Sequence, residues 1–407
     1  MELVGQKNTQ KKFDKSVAII GALLPLGIMV GPGGFESIIG LTSLIWIAGQ
    51  FKFKNNPLET LLKEPCIKAL IAVYISILIS VLLNGGGEKG YLHDIVIIRH
   101  LFFIAAMIET SQRFPVFKYL FYGIVAGFVY AILNIAFVHI FNFDFMGKPL
   151  ARYLEKEKEG VRYPTMLAFY TLFFLTWALF TITLKNKIRI LISIAAITGL
   201  GFLTLFHIRT LHLALLSSLL FVLFYFMFKK KTYLLIFCGI AALVGLSYYL
   251  YTTNNFKDLS SVYARIFIWK TSFLLFYDNP LFGAGISSYM NAIVEIIQRL
   301  DIQPYIDPNG IHWFYKEGIY HAHNNILQIL SCTGIIGFIC SAWLSVVVLQ
   351  ATFKNISSHH IGFISWPILY FIISLAGFSI YTGWYLALAS FIIVSVSTRD
   401  LTSKNLG

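Results

Sequence analysis

Charged residues are scarce in this chain. Asp, Glu, Lys and Arg make up 13% of its 407 residues, against 57% hydrophobic. Soluble domains carry roughly a quarter charged residues, so the shortage excludes an ordinary water-soluble domain and points to a protein built across a membrane. Cysteine is scarce too: the four, Cys66, Cys238, Cys332 and Cys340, lie in or beside apolar runs. No spacing among them resembles a metal knuckle, and Cys332 and Cys340 stand too far apart on one predicted helix for a disulfide. They read as small hydrophobes in packing positions. Paired acidic residues are missing from the expected outer side, where Glu295, Asp301, Asp307 and Glu317 are scattered and none forms a D-x-D. That argues against a metal-dependent mechanism, so neither metal nor cofactor is expected. No internal repeat and no low-complexity segment occurs.

What is abundant is apolar sequence in long runs. Windows near 16–32, 35–51, 67–84, 92–110, 117–141, 164–184, 188–207, 210–228, 232–251, 322–352, 361–379 and 381–397 each approach the roughly 20 residues a bilayer core requires. They predict an all-α polytopic membrane protein of about twelve helices, a single membrane domain over 1–407. The first window follows a basic segment and runs through GPGG into the second without a convincing cleavage site, so it reads as a retained helix. The net charge of +13 would suggest nucleic acid in a soluble protein. Here the lysines fall in short clusters between spans, such as Lys7 to Lys15, 185–189 and 229–231, and topology explains them better than any nucleic-acid partner. By the positive-inside rule they place both termini in the cytoplasm. Two longer segments are then left outside: 142–163, and 252–321 between the ninth and tenth spans. The second reads as partly helical, with SVYARIFIWKTSFLLF in helical periodicity and Asn279-Pro280 ending it.

Several polar residues on that outer side are costly there and therefore informative. His321 and His323 begin HAHNNILQILSCTGIIG at the mouth of the tenth span. Both on a helix would point about 200° apart; with His321 in extended chain and His323 at the helix start, they can converge. Asn324 or Asn325 can cap that helix. The pair reads either as an interfacial cap or as a general base, which a neutral imidazole supplies near neutral pH. Arg209 sits in a very short turn between the seventh and eighth spans, where it can snorkel to lipid phosphates or grip a substrate phosphate bidentately. Arg265, four residues before Trp269, reads as a solvated Arg stacked on an indole or as a second phosphate clamp. Arg99 is set deeper and calls for a partner, for which Asp94 is a poor candidate at the span's end. Gly283 and Gly285 in LFGAGISSY permit a tight or mobile loop. Gly334 and Gly337 read as helix-packing positions. Trp313, with its aromatic neighbours, forms a sugar platform or an interfacial belt.

The order and sidedness of these residues resemble the O-antigen ligase family and the related O-antigen polymerases. The family hallmark of His, a polar residue, nine residues and Gly-x-x-Gly is matched by His323, Asn324, residues 325–333, Gly334 and Gly337. ARIFIWKTSFLLFYDNPLFGAGISSY resembles the family's loop with its arginine and Asn-Pro-Leu-x-Gly-x-Gly. The resemblance implies a GT-C-like glycosyltransferase of the inner membrane of a Gram-negative bacterium, with its site on the periplasmic face. It implies transfer of O-antigen glycan from undecaprenyl diphosphate to lipid A–core, with His323 as base and Arg209 and Arg265 on the diphosphate. His321, Asn324, Arg99, Gly283, Gly285 and Trp313 would then contact substrates, in a bed of membrane lipids. The second histidine, in IYHAHNN, resembles the ligases. The alternatives are a polymerase joining carrier-linked units, and, from another class, a transporter of a lipid-linked glycan. A transporter calls for midplane charges and inverted repeats, and the sequence offers neither beyond Arg99.

Overall fold

Prolines open several of the helices. Pro32 and Pro65 occupy first helical positions, where the missing N–H would have had no partner anyway. The computed structural model describes residues 2–53, 62–84, 95–147, 162–180, 186–204, 209–227, 260–300, 321–354, 361–375 and 379–398. In chain order the helices are α1 (Glu2–Ala22), α2 (Leu24–Val30), α3 (Pro32–Phe53), α4 (Pro65–Asn84), α5 (Arg99–Ser111), α6 (Val116–Phe141) and α7 (Arg162–Phe180). They continue as α8 (Asn186–Leu203), α9 (Arg209–Met227), α10 (Ser260–Asp278), α11 (Tyr289–Gln298), α12 (Asn325–Lys354), α13 (Ile361–Ser374) and α14 (Gly383–Ser397). No β-strand occurs among the described residues.

Seven described helical stretches are long and apolar enough to cross a membrane, and three shorter apolar helices accompany them. The architecture is therefore all-helical and polytopic. Of the twelve spans expected from sequence, the one at 232–251 lies outside the described residues. Within the expected outer loop, α10 and α11 are helical, while 252–259 and 301–320 lie outside the described residues.

Lipid is as apolar as leucine, so these helices gain little by hiding apolar surface from one another; close packing and hydrogen bonds decide their contacts. Phe169, Phe173, Trp366 and Phe391 are buried among α7, α13 and α14. Their polar neighbours are satisfied: the Trp366 indole N–H donates to the Phe169 carbonyl at 2.9 Å, and the Tyr170 hydroxyl to that of Pro25 at 2.9 Å. This is the usual condition for burying an indole or a phenol.

Two polar ends frame the apolar middle. At one, Arg113 donates to both oxygens of Asp14, at 3.1 and 3.3 Å, and to Glu109. Glu109 also accepts from the Trp46 indole at 2.7 Å and from Gln50 at 3.0 Å, which ties α1, α3 and the end of α5 together. At the other end Arg99 is paired with Glu36 of α3. Asp94, the neighbour considered from sequence, lies outside the described residues; the carboxylate that meets Arg99 comes from a helix far earlier in the chain. Glu36 in turn borders Gly383, the first residue of α14.

The most unusual backbone is in α12. Gly334 takes φ 66° and ψ −167°, which breaks the thirty-residue helix in two. A break frees carbonyls on one side and N–H groups on the other, and inside a membrane domain each must find a partner. The loop after α10 supplies them. Ala284 and Gly285 donate their N–H groups to the carbonyls of Ser331 and Cys332 at 2.8 and 2.9 Å. The carbonyls of Pro280 and Leu281 accept from the N–H groups of Ile335 and Ile336 at 2.9 and 3.3 Å. From α4, the Ser80 hydroxyl donates to the Cys332 carbonyl at 2.7 Å, and the Asn84 amide to that of Gly283 at 2.9 Å. Gly334 thus proves to be the seat of a backbone strap and not the helix-packing position expected from its spacing. Gly337 keeps the packing role, since a Cβ there would come within 3.4 Å of the Ser76 hydroxyl of α4.

Candidate active site

The strap fixes the N-terminal half of α12, and the mouth of that half carries the histidines. His321 and Ala322 are not helical, and helix begins at Asn325. His323 adopts φ 51°, in the left-handed region that side chains other than glycine enter at a cost. The surroundings hold it there. Its N–H donates to His321 Nδ1 at 3.2 Å, and the Ala322 N–H donates to Gln328 Oε1 at 2.6 Å. Two consecutive asparagines then pin the mouth. Asn324 Oδ1 accepts the Leu327 N–H at 3.1 Å, which caps the helix, while its Nδ2 donates to the Leu375 carbonyl at 3.1 Å. Asn325 Oδ1 accepts the Ile380 N–H at 2.8 Å. The mouth is thereby tied to the connection between α13 and α14.

This geometry settles the orientation of the two histidines. With both residues ahead of the helix and His323 turned into the left-handed region, their ring centroids lie 4.0 Å apart. Because His321 Nδ1 accepts a hydrogen bond, the proton of its neutral ring is on Nε2. His323 is held neutral: burial pushes its pKa down to about 3, with His321 and the positive charge of Arg265 acting in the same direction.

Arg265 therefore lies within electrostatic reach of His323. Its side chain is half-buried, its Nε has no hydrogen-bond partner, and among the described residues no carboxylate pairs with it. The described residues also show no cation–π contact between Arg265 and Trp269. A guanidinium with an orphaned Nε and no carboxylate partner among the described residues, beside a neutral His323, is a place for a bound anion.

Gly283 and Gly285 lie in the strap, both at positive φ, so the loop is tight and its N–H groups are engaged with Asn279 and Cys332. Arg99 shares the histidine end of the bundle but is engaged with Glu36. Arg209 opens α9, and its side chain lies outside what is described, as does Trp313. Sequence reasoning missed Gln328 and Asn84. Gln328 is buried, holds the Ala322 backbone, and donates to Cys332 Sγ at 3.0 Å. The signal was present, since a buried amide one turn inside an apolar helix needs a reason.

Comparison with known proteins bears on this same region. The O-antigen ligase family model matches residues 194–342. A candidate polysaccharide ligase of Rickettsia conorii is 30% identical over 148 residues, covering 34% of this chain and 34% of that protein. The aligned stretch thus spans about a third of the relative's length. The matched segment 194–342, which carries Arg209, Arg265, the strap and the His323 mouth, is the part of the chain that is similar to the O-antigen ligase family.

Proposed function

We propose that the protein is a membrane glycosyltransferase that moves a preassembled O-antigen glycan from undecaprenyl diphosphate to lipid A–core. The reaction takes place on the periplasmic face of the inner membrane of a Gram-negative bacterium, with both termini of the chain in the cytoplasm. The observation that carries this reading is Arg265, its Nε without a partner, beside the His321–His323 pair within the segment similar to the O-antigen ligase family.

The chemistry follows from charge. A hydroxyl of the acceptor sugar attacks the anomeric carbon, the bond from that carbon to the diphosphate oxygen breaks, and undecaprenyl diphosphate departs. His323 takes the hydroxyl proton. Arg265, with Arg209, holds the diphosphate as negative charge grows on it, a kind of stabilisation worth roughly 3 kcal/mol per donor. Attack in one step inverts the anomeric configuration, and the activated donor makes neither metal nor nucleotide necessary. The depressed basicity of His323 is relieved by the substrate itself. A diphosphate on Arg265 offsets the positive charge that disfavours the imidazolium, so the base strengthens when the donor is bound. His321, fixed by its Nδ1 acceptor bond, orients the His323 backbone.

Purified protein supplied with carrier-linked glycan and lipid A–core tests the reading. Glycan covalently joined to lipid A–core supports a ligase. Longer carrier-linked chains would make the protein a polymerase, and movement across a bilayer without covalent product would make it a transporter.

A further inference from the structure

Arg265 is not alone on its helix face. Trp269 follows it by four residues, about 40° further round the axis of α10. Both are half-buried and stand at the border between the buried strip of Phe267, Ile268, Thr271 and Ser272 and the exposed side of Ile266 and Phe273. Phe267 of the buried strip belongs to one apolar cluster with Ala322, the residue between the two histidines, and with Cys332 beneath the strap. Helix α10 also packs directly on α12, and the charge of Arg265 acts on His323, so this end of α10 lies near the His323 mouth.

The indole N–H of Trp269 is buried and has no hydrogen-bond partner, like Arg265 Nε. A buried indole normally finds an acceptor, and leaving a donor unsatisfied costs free energy comparable to a lost hydrogen bond. Trp46 on Glu109 and Trp366 on Phe169 keep the rule, and Trp177 shares the exception; what sets Trp269 apart is the orphaned Arg265 Nε one turn before it. Two orphaned donors one turn apart, neither able to accept, match an acceptor-only group, and the ligand class that fits is an oxyanion.

We propose that Trp269 is a donor-binding residue: its indole N–H joins Arg265 in holding the diphosphate of the lipid-linked donor. This rests on the glycosyltransferase reading above. In the apo protein the two donors wait unsatisfied; on binding, one phosphate oxygen takes the indole N–H and others take the guanidinium.

The test uses the full-length protein in detergent or nanodiscs, with undecaprenyl diphosphate as the probe because it is the leaving group and carries no glycan. Its inhibition constant is measured for wild type, Trp269→Phe and Arg265→Ala. A further variant carries benzothienylalanine at 269, which keeps the bicyclic shape but has no N–H. We expect the benzothienylalanine and Phe variants to raise the inhibition constant and the donor KM about tenfold, with thermal stability and acceptor KM unchanged. Combination with Arg265→Ala should fall short of the product of the single effects, because both groups act on one ligand. An inhibition constant within twofold of wild type for benzothienylalanine, while Arg265→Ala raises it, overturns the role of Trp269 and leaves the glycosyltransferase reading intact. The same holds if acceptor KM moves instead. If neither Arg265→Ala nor the Trp269 variants changes the inhibition constant, the diphosphate assignment of the whole face is overturned.

Discussion

Gly283 and Gly334 are locked together through each other's neighbours. A Cβ on Gly283 would lie 2.3 Å from the Cys332 carbonyl carbon, and one on Gly334 would lie 2.2 Å from the Leu281 carbonyl oxygen. Both residues also take positive φ. The clash is with backbone on either side, so nothing can rotate away. We expect Gly283→Ala and Gly334→Ala each to cost more than about 3 kcal/mol. The measurement is thermal unfolding in detergent, together with the yield of monodisperse protein. Gly201→Ala, on α8 with open space where its Cβ would stand, should be neutral or slightly stabilising.

The acid limb of the pH profile should report the charge beside the base. A His base loses activity as pH falls through its pKa. That of His323 is pushed down to about 3, first by burial and then by His321 and Arg265. Between pH 5 and 7 it should therefore stay unprotonated, and kcat/KM should show no limb near the ordinary histidine value of about 6.5. Arg265→Gln removes one of the three causes, so the His323 pKa should rise while burial keeps it below 6.5. The same titration followed by histidine NMR should show an upward shift relative to wild type; an unchanged midpoint would separate Arg265 from His323.

Asn324 both caps α12 and reaches Leu375, and the two duties are separable. Asn324→Ala removes both contacts and should cost about 1 kcal/mol of stability through the lost cap, with a larger loss in kcat as His323 leaves its held conformation. Asn324→Ser retains an oxygen for the Leu327 N–H but is too short to donate to the Leu375 carbonyl. It should restore stability and only part of the rate, as seen by unfolding and turnover on the same preparation.

Arg113 neutralises two buried carboxylates at the end of the bundle away from the histidines. Arg113→Ala leaves Asp14 and Glu109 without their cation, and removing one partner from such a cluster costs about 3–5 kcal/mol. Protein recovered from membranes should fall sharply, yet the folded fraction should keep wild-type donor KM. A selective rise in donor KM would connect this end to the substrate.

How much of this was legible beforehand differs from residue to residue. The helical membrane architecture followed from apolar run length; sequence offered Asn324 or Asn325 as the helix cap, and the Leu327 N–H selects Asn324. The convergence of His321 and His323 was left open by sequence, because it depends on where helix begins; a left-handed His323 decides it. The strap was hidden. Gly334 and Gly337 are equally small, and nothing local distinguishes a glycine that admits a neighbouring helix from one that breaks its own. That distinction comes from Pro280 and Leu281, some fifty residues earlier (on the order of ten turns of chain). The Glu36 partner of Arg99 was hidden for the same reason, since tertiary pairing leaves no mark on spacing.

The most direct test is whether His323 is the base. Wild-type protein and His323→Ala, matched for folded amount, receive carrier-linked glycan and lipid A–core, and the covalent product is quantified. We expect the variant to lose at least about a hundredfold in rate while still binding undecaprenyl diphosphate through Arg265. Product formed by His323→Ala at near wild-type rate would contradict the assignment, whatever the binding result.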